Sequence, residues 1–141
     1  MVPLSTIPLQ RQGTLSPDST THAASLARSV AVPNVMLATW NGARAGDCQL
    51  DDATLTLRSD GTGHWSAVVF TYSTHSGDYW RASWEILDTQ GVKVAAVPAL
   101  IGPRMDDGNG GPPPKYHWEA DFNYDATQFN NFGSVTLWSA C

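Results

Sequence analysis

Tyr116-His117-Trp118-Glu119-Ala120-Asp121-Phe122-Asn123-Tyr124 is the stretch that decides the fold class. Rings and alanine fall on its even positions, and ionisable or amide groups on its odd ones. A period of two marks a β-strand with one side on a core, because successive side chains leave an extended backbone in opposite directions. The same pattern recurs in 79–87, where Trp80, Ala82, Trp84 and Ile86 oppose Tyr79, Arg81, Ser83 and Glu85. In 63–73 the split is weaker: His64, Ser66, Val68, Phe70 and Tyr72 oppose Trp65, Ala67, Val69 and Thr71.

Working outward, the alternation predicts strands over 36–41, 53–58, 63–73, 79–87, 92–98, 116–124 and 134–140. The connectors carry turn chemistry: Asp60-Gly61 suits a hairpin, and Thr74–Asp78 and Asp88–Gly91 are similar links. The stretch Ile101–Lys115 holds four prolines and four glycines, which predicts a long loop rather than a central strand. The expected architecture is all-β, a seven- to eight-stranded antiparallel barrel or sandwich over residues 35–141, with barrel and sandwich both open. Residues 1–34 read as an N-terminal extension. Ser16-Pro17-Asp18 there has the cap, first-turn proline and acid of a helix start, which predicts one short helix over 17–30.

Composition narrows the function classes. The 141 residues include two lysines, six arginines and a net charge of −5, which argues against nucleic acid, whose binding needs a cationic footprint. No apolar run is long enough to span a bilayer, and Met1–Pro8 lacks the cationic start of a secretory signal. Cys48 and Cys141 are the only cysteines and lie outside metal-ligand spacing. They are either free thiols or a bond closing a loop of about 94 residues.

Cys48-Gln49-Leu50-Asp51-Asp52-Ala53-Thr54-Leu55-Thr56-Leu57, Asp60-Gly61-Thr62-Gly63-His64-Trp65-Ser66-Ala67, the Thr71–Asp78 segment and the terminal cysteine together resemble an uncharacterised family of small bacterial, tryptophan-rich β-domains. The resemblance spans roughly the last two-thirds of the chain and implies a domain boundary but no activity. A looser similarity to lipocalin and avidin barrels rests on Trp40 and the meander pattern, with Ala38 standing where those barrels place glycine.

Glu85 and Glu119 are the only glutamates, and each follows a tryptophan within a strand pattern, where glutamate is usually depleted. Two readings of these strands compete. Either the rings form the core and the charges face water, or the polar sides line a cavity that gathers Arg81, Glu85, His117, Glu119 and Asp121. Buried charges are costly unless they pair or bind something, so such a cluster would mark a site. The leading expectation is binding of a small molecule or carbohydrate, with Tyr79, Arg81, Asp121, Trp80, Trp84 and Trp118 supplying rings and polar partners. The alternative is a small barrel enzyme in which Glu85, Glu119 and His117 move protons. As a glycoside hydrolase its carboxyls would stand about 5–5.5 or 6.5–9.5 Å apart; as a cyclase or isomerase, Tyr79 or Arg81 would polarise a carbonyl. His117-x-Glu119-x-Asp121 lacks a second histidine pair at ligand spacing, so no metal is assigned, and no nucleotide or other cofactor motif is present.

Overall fold

Strand pairing sorts the chain into two antiparallel sheets in the computed structural model, which describes residues 20–29 and 34–141. The strands are β1 (Thr20–Ser25), β2 (Ala27–Arg28), β3 (Val35–Trp40), β4 (Ala43–Ala45), β5 (Cys48–Arg58), β6 (Thr62–Thr71), β7 (Asp78–Asp88), β8 (Lys93–Met105), β9 (Tyr116–Asn123) and β10 (Phe132–Ala140). One sheet has the order β1-β10-β7-β8; the other has β2-β3-β5-β6-β9, with β4 beside the first residues of β5. The architecture is all-β, and of the two expected forms it is a sandwich: no strand ladder joins one sheet to the other among the described residues.

The inward faces meet on rings. Trp65 of β6 lies at the centre, with ring centroids 4.7 Å from Trp84 of the opposite sheet, 5.7 Å from Trp118 and 5.9 Å from Trp40, all edge-on. Phe122 stacks on Trp84 at 6.5 Å. Leu50, Leu55, Leu57, Ile86 and Leu137 complete a fully buried core. Burying one large apolar side chain contributes about 1.5–3 kcal/mol, so the alternation seen in β7 and β9 is also what pulls the two sheets together. Cys48 and Cys141 are bonded with Cα atoms 6.2 Å apart, tying the start of β5 in one sheet to the end of β10 in the other.

Two expectations are corrected. The helix expected over 17–30 is strand from Thr20 to Ser25 and from Ala27 to Arg28; residues 17–19 and 30, like the Ser16-Pro17-Asp18 start and the Met1–Pro8 terminus, lie outside the described residues. Tertiary pairing overrides the helix preference of Ala23 and Ala24: β1 ladders along β10, and β2 along β3. Leu26 is the corner between the sheets, its amide donating to the Gly133 carbonyl at 3.1 Å. The loop expected to begin at Ile101 begins only after Met105. Pro98 and Pro103 are tolerated because β8 is an edge strand, where a missing N–H removes no ladder bond on the outer side.

Turn chemistry sets the register that matters for function. Asp60-Gly61 closes the β5–β6 hairpin, with Gly61 at φ 90° and its amide on the Arg58 carbonyl at 3.1 Å. The Asp60 carboxylate accepts from the Thr62 amide at 2.9 Å and hydroxyl at 2.7 Å. That fixes which residues of β6 face outward opposite β9.

Candidate functional site

Polar side chains from four adjacent strands share the outer face of the six-stranded sheet. In register across it lie Thr39, Thr54, Ser66 and Glu119 in one row, and Thr56, His64 and Asp121 in the next. His117 stands on the same face two residues before Glu119, and all three of the β9 residues are exposed.

His64 organises this face. Its Nδ1 is 2.7 Å from Asp121 Oδ1 and its Nε2 is 3.2 Å from Glu119 Oε1. Ionised carboxylates only accept, so both contacts are satisfied together when each ring nitrogen carries a proton. In that form the ring bridges the two acids, while Asp121 Oδ2 and Glu119 Oε2 are not engaged by it. Sequence reasoning had His64 on the correct side of its strand but did not select it, because the non-sequential pairing of β6 with β9 was not legible.

Beside His64 the face dips into a recess of about 410 Å³ lined by Arg58, Thr62, Gly63, Asp121, Phe122 and Asn123. On the core side of the same strand, a Cβ at Gly63 would lie 2.3 Å from the Phe122 ring, so only glycine lets that ring lie against the β6 backbone beneath the recess. The Arg58 guanidinium reaches Thr62 Oγ1 at 3.4 Å, and the Arg58 carbonyl accepts from the Tyr124 hydroxyl. Burial pushes the Tyr124 phenol up to about 12, with the Asp60 charge adding to the effect. The Thr62 hydroxyl and amide hold the Asp60 carboxyl below its ordinary range. The rim therefore offers one guanidinium, one threonine hydroxyl, an amide and the Asp121 carboxylate.

The other residues singled out in the sequence lie elsewhere. Trp80, Trp84 and Trp118 are core residues, and the remaining three tryptophans are buried too, so no indole is free to stack on a ligand in the open. Glu85 projects from β7 on the side opposite Trp84, and Glu119 from β9 on the side opposite Trp118. Since both rings pack on Trp65 between the sheets, the two glutamates sit on opposite outer faces of the sandwich. The acid–base trio of Glu85, His117 and Glu119 is not brought together: His117 and Glu119 share a face that Glu85 does not. Glu85 is 3% exposed, with Lys93 Nζ 3.5 Å from its Oε2. Tyr79 and Arg81 are exposed on the outer face of the four-stranded sheet. The potential ligand atoms of His117, Glu119 and Asp121 do not converge. Among the described residues the group of three close enough for a metal is Cys48, Asp78 and Cys141, in which the two sulfurs are already bonded to each other.

The segments that carry the sequence resemblance, 48–57, 60–67 and 71–78 with Cys141, lie on β5, the β5–β6 hairpin, the β6–β7 connection and the end of β10. The profile of a family described as being of unknown function, DUF6294, matches residues 54–141. The chain belongs to that family. No curated protein matches the chain, and no solved structure does. The family contributes no residue assignment, so chemistry rests on the geometry above. No helix of the described residues is long and apolar enough to cross a membrane.

Proposed function

We propose that this chain is a small-molecule-binding β-sandwich whose ligand is a carbohydrate or similar polyol, taken up on the outer face of the six-stranded sheet. The observation that carries the reading is the recess of about 410 Å³ lined by Arg58, Thr62, Asp121 and Asn123, beside carboxylates held in place by His64. The recess is an open depression, so it takes one face of a sugar ring and leaves the other in solvent. Sugar hydroxyls both donate and accept, and this rim pairs acceptors (Asp121, Glu119) with donors (Arg58, Asn123, Thr62) at fixed spacing. Preorganisation by His64 lowers the ordering cost that binding would otherwise incur. Without a stacking indole the affinity is modest, on the order of millimolar for one sugar unit.

The test is a panel of neutral mono- and disaccharides titrated into ¹⁵N-labelled chain. Binding is expected to shift amide signals of residues 58–64 and 119–123, and to weaken at least tenfold in Asp121→Ala and Asn123→Ala. His64→Ala is expected to weaken it less, through loss of positioning. A panel that moves no signals, or a sugar whose binding survives both β9 substitutions, removes the proposal.

A further inference from the structure

We infer that the outer face of the four-stranded sheet carries a second site, built around Arg81, for a small organic carboxylate with an apolar body. A recess of about 100 Å³ lies there, lined by Arg81, Ser83, Ala99 and Trp138 among others. Register explains the grouping: Ala140, Arg81 and Ile101 face one another across β10, β7 and β8, and Trp138 faces Ser83 in the next outward row. Trp138 is buried but stands outside the central core cluster, on the outward side between core residue Leu137 and Ala140.

The charges on this sheet single out one cation. Lys93 is paired with Glu85 at 3.5 Å. Arg104 is paired with Asp106 at 2.9 Å and donates to the Ser76 carbonyl at 2.8 Å. Arg81 has neither an ion pair nor a hydrogen bond among the described residues, in a chain of net charge −5 where acids are plentiful. Its surroundings are mostly apolar: Ala82, Ala99, Trp138 and Ala140 line the recess with Ser83 and Ser139, and Tyr79 and Ile101 stand exposed on the same face at 44% and 62%.

A planar guanidinium with free donors matches a carboxylate through two parallel hydrogen bonds. The Ser83 hydroxyl supplies a further donor, and Ala99, Ala140 and the 5% of Trp138 that is exposed take the hydrocarbon end. Size sets the class, since a cavity of about 150 Å³ accommodates benzene. The smaller, open recess takes a carboxylate and part of an aryl or short alkyl group, the rest lying over Tyr79 and Ile101. A fully hydrated inorganic anion gains nothing from that apolar lining. The site lies on a different sheet from the polyol recess and stands independently of it.

The probe is phenylacetate, titrated into the ¹⁵N-labelled full chain, with phenylacetamide, acetate and inorganic phosphate in parallel. Saturable shifts are expected at Arg81, Ser83, Ala99 and the Trp138 indole N–H, with each of the other three compounds binding at least tenfold more weakly. Arg81→Gln is expected to weaken phenylacetate at least tenfold. Ala99→Asp, which sets an acid beside the guanidinium at an exposed position, is expected to do the same without disturbing the core. Equal binding of phenylacetamide or phosphate, shifts that map elsewhere, or phenylacetate binding unchanged in both variants would overturn the site.

Discussion

Removing the Cys48–Cys141 bond is expected to cost about 4–5 kcal/mol of folding stability. The two cysteines are 93 residues apart, so the bond closes a loop of almost the whole β region. In the chain-entropy view, cross-linking a loop of roughly 100 residues withholds about 4.7 kcal/mol of disorder from the unfolded chain. For a chain of this length that corresponds to a fall in Tm of roughly 10–20 °C. The perturbation is Cys48→Ala with Cys141→Ala, read by urea unfolding followed through tryptophan fluorescence. Cys48 is fully buried, so truncating its side chain adds a cavity cost of about 1 kcal/mol, which the single Cys141→Ala variant omits. Because the constraint acts on the unfolded state, the slope of free energy against urea is also expected to steepen when the chain can open further. A loss below about 1 kcal/mol in Cys141→Ala, with the slope unchanged, would mean that the bond does not constrain the unfolded chain, and the reasoning would fail.

Three further outcomes follow from single features. Gly63→Ala places a Cβ 2.3 Å from the Phe122 ring and 2.9 Å from the Thr56 carbonyl. A loss of about 1–3 kcal/mol is expected in urea melts, partly restored by Phe122→Leu; a loss under about 0.5 kcal/mol would show that the ring does not rest there. In ultraviolet titration, one of the four tyrosines is expected to ionise only near 12, and Tyr124→Phe to remove that late step. Burial lowers the folded pKa of His22 below 6.5, and hydrogen bonds lower those of Asp60, Asp107 and Asp125 below 3.8. Both kinds of contribution are present above the unfolded value and lost as pH falls through the folded one. Stability is therefore expected to start falling below about 6.5 and again below 3.8, with His22→Gln removing only the first decline; a flat profile between pH 7 and 5 contradicts this.

Much of the sandwich was legible because its strands bury one side. Trp80, Trp84, Trp118 and Phe122 announce the inward face by alternation alone, and Asp60-Gly61 announces its hairpin. The strands Thr20–Ser25 and Ala27–Arg28 were not legible, because residues rich in alanine and threonine become strand only when β10 and β3 offer ladders. The glycine and proline of Ile101–Met105 predict loop, an inference that holds for central strands and fails at an edge.

The candidate site divides the same way. Local periodicity says which side of its own strand Glu85, Glu119 or His64 occupies, since that depends only on backbone geometry. It carries nothing about which strand lies alongside or which sheet that strand joins. Those depend on contacts between residues far apart in the chain, where the entropy of closing the loop is offset by burying rings from both sheets. The sequence alone therefore determined that rings and charges separate. Tertiary pairing alone decided that Glu119 and Asp121 meet His64, that Glu85 faces the other way, and that Arg81 stands beside Trp138.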